Sequence, residues 1–209
     1  IKHKIPNVNS LEDETIKEGS ERMAKLPVMF EPGTRWLYGL NLEIAGRLIE
    51  VLSGMPLDVY FQKKIFEPLG IKDTYFYLPE EKVSRLVTVY SKDSLSALLK
   101  VCTITQNQIY PYSGAKKVFM GGAGLVGTIE DYAKFCQMMV NGGNFNGHQL
   151  LGRKTIDVMT MNQIGDILTT WDKNKFGLGF EIFGEGDVVK SPGSIGSYKW
   201  GGMYATDYL

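Results

Sequence analysis

Three patterns in this chain could carry chemistry by residue type and spacing. Gly122, Gly124 and Gly127, within VFMGGAGLVGTIEDYAKF, spell G-x-G-x-x-G directly before a helix, the form of a loop that holds a dinucleotide. Ser113 and Lys116 spell S-x-x-K, which on a helix would put a serine nucleophile and a lysine on one face. His3 and His148 are the only histidines, far apart and without a neighbouring cysteine or acidic cluster, so neither a metal site nor a histidine base is expected.

The elements needed to position the first two patterns are missing. A dinucleotide loop needs a core strand before it and an acidic residue about 20 positions later at the end of a second strand. Here AKKVF is a poor, charged strand, and NGGNFNGHQ offers neither acid nor strand. Gly127 is followed by Thr128 and no lysine, so a phosphate-binding P-loop fails as well. Ser113 follows Pro111 and leads into glycines, which is a poor helix.

Elsewhere the chain reads as helix-rich first and strand-rich last. Ser10 with Asp13 marks a helix start for LEDETIKEGSERMAKL, a solvated face. Leu42, Ala45, Leu48, Ile49 and Leu52 recur at helical spacing up to Gly54, and Pro56 opens a further helix toward FEPLG. RLVTVYS alternates like a strand, and residues 91–117 show no clear period. Thr128 with Asp131 caps a helix that ends at Asn141-Gly142-Gly143, and GRKTIDVMTM is the next helix. KFGLGFEIFG and YKWGGMYATDYL each read as strand.

Composition narrows the function classes. Hydrophobic residues make up 44% and charged residues 22% of 209, as in a folded soluble domain. Twenty-three basic residues balance twenty-three acidic ones, so no net field favours nucleic acid or an anionic membrane. A Cys102–Cys136 disulfide is possible, but Phe135, Met139 and Val140 around Cys136 favour a buried thiol.

Four segments in order resemble the serine β-lactamase-related hydrolases: class C β-lactamases, DD-peptidases and esterases of that fold. FEPGTRWLYGLNLEIAGRLIEVLSG resembles the family's P-G-x-x-x-x-Y-S-N region and following helix, and IFEPLGIKDTYF its PLGM-x-x-T-x-F element. GGAGLVGTIEDYAKFCQMMVNGG resembles GG-x-GL-x-ST-x-x-D-x-x-x-F, and WGGMYAT the esterase-type form of the K-T-G strand, with tryptophan for lysine. The resemblance implies nucleophilic acyl transfer with no cofactor. It assigns Tyr38 to proton transfer, held ready by cationic neighbours, and the Met203 backbone N–H to the oxyanion hole. It makes Trp200, Gly201 and Gly202 the substrate-lining strand, the glycines leaving room for a substrate carbonyl. Asn41 falls one residue late for the family's Y-x-N amide, whose place Leu40 takes. Gly121, Gly122 and Gly124 become a packing turn into the helix at Thr128.

The resemblance also implies an α+β (α/β) fold of the serine β-lactamase/transpeptidase-like type, a helix-rich domain plus part of an antiparallel sheet. Residues 1–127 would be the mainly helical domain, and 128–209 the helices and returning strands of a truncated α/β domain. The family's S-x-x-K precedes its tyrosine, so Ser113-Lys116 stands in the wrong order and the nucleophile is expected outside this chain. The expectation is part of a serine hydrolase acting on small-molecule esters, or on β-lactams or D-amino-acid peptides, with the 209 residues inactive alone. No nucleic-acid or nucleotide partner is implied, self-association through an open sheet edge is expected, and the compartment is unknown. The rival from another class is a catalytically silent binding protein of the same fold.

Overall fold

The structure, a computed structural model, describes residues 13–92, 99–101, 109–170, 174–184 and 193–209. Helices and antiparallel strands both occur, as expected for an α+β chain. Contacts divide the chain into two units, Ile1–Pro27 with Leu40–Lys134, and Val28–Gly39 with Phe135–Leu209.

In the first unit α1 (Ile16–Met23) starts later than the Ser10–Asp13 reading, and Ser10 lies outside the described residues. The working capping box is Thr15 with Glu18. The Glu18 N–H donates to Thr15 Oγ1 (3.3 Å), and the Thr15 N–H donates to Glu18 Oε2 (2.8 Å). Helix α2 (Asn41–Ser53) ends at Gly54, whose φ of 69° suits the left-handed stop that glycine tolerates best. A continuous helical run follows from Pro56: α3 (Leu57–Phe61), a π-helical turn (Gln62–Phe66) and α4 (Glu67–Leu69). The core is Ile16, Leu57 and Phe76, with Ile49, Phe61, Tyr77 and Phe119 packed against it. RLVTVYS is mostly irregular. Only Tyr90–Lys92 (β1) is strand, paired antiparallel with β2 (Leu99–Val101), a hairpin hidden in the stretch without a period.

The glycine-rich segment packs against α2. A Cβ on Gly121 would overlap the Leu42 carbonyl, one on Gly122 would press on the Glu43 carboxylate, and one on Gly46 would lie 3.1 Å from Gly121 Cα. Backbone thus rests on backbone, which only glycine permits at this distance. Glu43 is 5% exposed, and burial pushes its carboxyl above the ordinary 4.5, against the downward pull of its own N–H and that of Gly122. A raised folded value means the stability linked to this group is complete at acid pH and is lost as pH rises through that value. Glu43→Gln keeps an oxygen acceptor and removes the charge. It is therefore expected to raise the thermal midpoint at pH 7 and to lose that advantage near pH 4. Equal midpoints at both pH values would sink this account.

Helix α5 (Ile129–Val140) begins in the first unit and ends in the second. The Asp131 N–H donates to Thr128 Oγ1 (3.3 Å), as the capping pattern predicts. The Asp131 carboxylate does something the pattern does not announce. Its Oδ2 accepts from the backbone N–H groups of Lys72 (3.1 Å) and Asp73 (2.6 Å), while Oδ1 meets Lys134 Nζ at 2.7 Å. Lys134 also reaches the Gly70 carbonyl, so α5 is tied to the loop after α4. Burial alone would raise the Asp131 carboxyl, but Lys134 and these N–H groups outweigh it and hold it below the usual range. Asp131→Ala leaves the Lys72 and Asp73 N–H groups without their carboxylate and Lys134 with the Gly70 carbonyl alone, with an expected loss of about 1–3 kcal/mol in urea unfolding at pH 7. The deficit should shrink as pH falls through the native carboxyl's value, where the wild type loses the same charge.

In the second unit Asn146 (φ 48°) and Gly147 (φ 84°) turn β3 (Asn144–Phe145) into β4 (His148–Gln149), the backbone pattern of a tight Asn-Gly hairpin. His148 is exposed there. Helix α6 (Arg153–Met159) follows, and its buried Ile156 joins Met138 and Met139 among the apolar residues of this unit. KFGLGFEIFG is two strands and a turn: β5 (Lys175–Phe176) and β6 (Glu181–Ile182). YKWGGMYATDYL likewise divides into β7 (Tyr198–Gly201) and β8 (Asp207–Tyr208). The four strands form one antiparallel sheet in the order β5-β6-β7-β8. Its two glycine-bearing turns break what alternation alone made into longer strands.

Candidate active site

The segment carrying Tyr38 belongs to the second unit, the same unit as β7. It enters through a turn at Pro32-Gly33, where Gly33 has φ 85° and the Thr34 N–H returns to the Glu31 carbonyl (3.2 Å). Downstream, the Thr170 hydroxyl donates to the Trp36 carbonyl at 3.3 Å. Trp36 and Tyr38, two residues apart, bring their rings to 6.5 Å.

Tyr38 stacks on Trp200 of β7, with ring centroids 5.9 Å apart and planes 26° from parallel. Phe176 of β5 meets Trp200 edge-on at 5.1 Å and 87°, and Trp36 at 5.4 Å. Among the described residues these four rings close a cycle that holds Tyr38 beside the strand, while 54% of Tyr38 stays open to solvent. Such a ring is gripped on its face, with more than half of the residue open to solvent.

Trp200 runs directly into the turn Gly201-Gly202-Met203. The Gly202 N–H donates to the Thr206 carbonyl (2.7 Å) and the Ala205 N–H to the Gly202 carbonyl (3.2 Å), which leaves Met203 at the tip. Among the described residues the Met203 N–H has no hydrogen-bond partner, the state required of an oxyanion donor before substrate arrives. Gly202 has a local reason to lack a side chain, since a Cβ there would run into the Thr206 hydroxyl. At Gly201 a Cβ would meet nothing closer than 3.5 Å, so its lack of a side chain keeps the strand surface open without relieving a clash.

An open groove of about 460 Å³ runs along this turn, lined by Trp200, Gly201, Thr206, Asp207, Lys199 and Glu181. Lys199 lies across from buried Glu181 (Nζ to Oε2 3.7 Å), and Asn174 Nδ2 donates to the other Glu181 oxygen at 2.7 Å. The lysine beside Trp200 therefore has a carboxylate partner within the protein. An anionic substrate would have to compete with that pair.

The structure brings together Tyr38, Trp200, Gly201, Gly202 and Met203. Asn41 is the exposed first residue of α2 in the other unit, and no side-chain cap bond forms at that helix start. Ser113 and Lys116 do not share a helix face. Gly114 (φ 81°) and Lys116 (φ 55°) are left-handed, within the turn and irregular residues 110–116. Cys136 is a free, half-buried thiol pushed up by burial, and Cys102 lies outside the described residues. Sequence reasoning missed Trp36 and Phe176. The W-x-Y spacing was a readable sign for the first, but nothing local marks Phe176, whose part depends on sheet pairing.

A model of the Beta-lactamase family matches residues 6–208. Among curated relatives, protein Rv1367c of Mycobacterium tuberculosis is 25% identical over 197 residues, covering 88% of this chain and 47% of that protein. A Salmonella typhi protein provisionally named D-alanyl-D-alanine carboxypeptidase is 28% identical over 201 residues, covering 87% and 44%. This chain spans a little under half the length of these relatives. Among solved structures, EstCE1, described as a hydrolase with promiscuous acyltransferase activity, superposes with a TM-score of 0.73 at 21% identity, over 96% of this chain and 54% of its own. The simvastatin synthase LovD of Aspergillus terreus gives 0.66 at 22%, over 80% and 46%. These likenesses establish the β-lactamase/transpeptidase-like fold, and the family match over nearly its whole length shows that the chain belongs to the Beta-lactamase family of serine hydrolases.

Proposed function

We propose that this chain forms part of an acyl-enzyme hydrolase that acts on small-molecule esters. The observation that carries this reading is the stacking of Tyr38 on Trp200 at 5.9 Å, next to the unpaired Met203 N–H. An aromatic ring stands where the K-T-G strand of the family carries a cation, which favours neutral acyl groups over the carboxylates of β-lactams and D-amino-acid peptides. The serine and lysine of S-x-x-K would come from the remainder of the complete protein. The serine Oγ would bond to the ester carbonyl carbon while its proton passes to the tyrosine oxygen. The C–O bond to the leaving alcohol then breaks, and that alkoxide takes the proton. Water repeats the exchange and frees the acid. Met203 N–H and the nucleophile's own N–H would hold the oxyanion at each step.

The test is intact-mass analysis of the product of the complete parent gene after exposure to a fluorophosphonate ester. One covalent adduct on a serine outside these 209 residues, with loss of fluoride, is the expected result, and the 209-residue chain alone should take no label. A folded complete protein that takes no label would sink the hydrolase reading and promote a silent binding protein. The chain alone is also expected to self-associate. Among the described residues β5 and β8 are the outer strands of the sheet, and Leu209 beyond β8 is 59% exposed. A monodisperse monomer in sedimentation velocity would count against that.

A further inference from the structure

We propose that Phe176 is a positioning residue for the tyrosine, acting through Trp200 and Trp36, an inference that rests on the acyl-enzyme reading above. The ring of Phe176 bears on both rings that flank Tyr38: Trp200 at 5.1 Å and Trp36 at 5.4 Å. Those two in turn bear on Tyr38 at 5.9 and 6.5 Å. Tyr38 is more than half exposed, so burial in a core does little to fix its direction, and these ring contacts bear on it directly.

Phe176 is suited to be the fixed member of the four because its backbone is pinned on several sides. The Gln163 N–H donates to the Phe176 carbonyl at 2.8 Å, and the next N–H, from Gly177, donates to the Phe180 carbonyl at 2.7 Å. Gly177 is buried and lies so close to the Met159 carbonyl that a Cβ would overlap it. The loop after α6, the β5 strand and the β5–β6 turn therefore converge on this one position. Trp36 and Tyr38, by contrast, belong to an irregular segment whose carbonyl at Trp36 is held by the Thr170 hydroxyl. A fixed Phe176 transmits the sheet's geometry to that segment. Proton transfer needs its donor and acceptor within hydrogen-bond reach, so a swing of the Tyr38 ring would cost rate before it cost binding.

The test compares the complete protein with its Phe176→Leu, Phe176→Ala and Phe176→Tyr forms, reading fluorophosphonate labelling rate and ester kcat and KM across pH. Phe176→Leu retains apolar volume and should fold. It is expected to lower kcat on the order of tenfold to a hundredfold with KM within about twofold, and to shift the alkaline limb of the pH profile. Phe176→Ala should lose at least as much, and Phe176→Tyr, which restores the ring, should recover most of the rate. A purely structural role would lower the thermal midpoint and leave kcat per folded molecule and the pH profile unchanged in both Leu and Ala forms; that result overturns the proposal. A wild type that labels normally while Phe176→Leu matches it removes the positioning role alone. A folded wild type that never labels removes the acyl-enzyme reading and this inference with it.

Discussion

Tyr38→Phe in the complete protein is expected to slow acylation by on the order of 10²–10⁴-fold, the range typical of losing a placed proton-transfer group. The substitution removes one oxygen and keeps the aromatic ring. The ring that stacks on Trp200 and approaches Trp36 is retained, so the four-ring cycle survives. Because Tyr38 is 54% exposed, the loss falls on a residue more than half open to solvent. The unfolding free energy should therefore stay within about 0.5 kcal/mol of wild type. KM for an apolar ester should hardly move, since the aromatic surface facing it is unchanged, and the defect should fall on kcat and on the labelling rate together. Stopped-flow with a chromogenic ester and a fluorophosphonate time course measure both. Full activity in Tyr38→Phe would remove the tyrosine from the proton path and leave only the oxyanion turn to support the hydrolase reading.

What could be read from the sequence, and what could not, follows the range of the interactions involved. Helices α2 and α6 and the run from Pro56 to Leu69 are written in local spacing and terminal residues, and the structure places them where that spacing puts them. Strands β5 to β8 were seen as apolar alternation, but the turns inside KFGLGFEIFG and YKWGGMYATDYL depend on which residues pair, so two strands were each read where a hairpin forms. The Asn146-Gly147 hairpin carried a readable local signal, yet NGGNFNGHQ was read as holding no strand. Asp131 shows the opposite limit. Its capping bond is local, while its larger task, holding the N–H groups of Lys72 and Asp73, spans 59 and 58 positions of sequence. In the candidate site, Tyr38, Trp200 and the Gly201-Gly202-Met203 turn were assigned by motif order, whereas Phe176 enters only through the fold. The glycine triplet could be separated from a nucleotide loop by its context, but its actual partner, α2, could not be named from sequence.

That partner makes Gly121→Ala the largest stability loss expected in the first unit, about 3–5 kcal/mol, with the chain poorly folded if its total stability is modest. Gly121 does not have a positive φ, so the penalty is not one of backbone conformation. The added methyl would overlap the Leu42 carbonyl and lie 3.1 Å from the Gly46 N–H, both atoms of the α2 backbone. No rotamer change relieves a clash between a Cβ and a main-chain carbonyl; either the glycine turn or the first turn of α2 must move. Movement there would disturb the Gly122 N–H bond to buried Glu43 and leave that carboxylate with one donor fewer. Gly124→Ala is the informative contrast. At Gly124 the φ is 92° and the nearest atom to a Cβ is Phe76 at 3.9 Å, so the cost is conformational, about 1–2 kcal/mol. A loop that cradled phosphate would reverse the emphasis: both substitutions would weaken ligand binding, and neither need unfold the protein. Urea unfolding of the two variants separates these cases. A Gly121→Ala chain as stable as Gly124→Ala would mean that the turn and α2 are not in backbone contact in solution, and the packing explanation of the G-x-G-x-x-G pattern would fall.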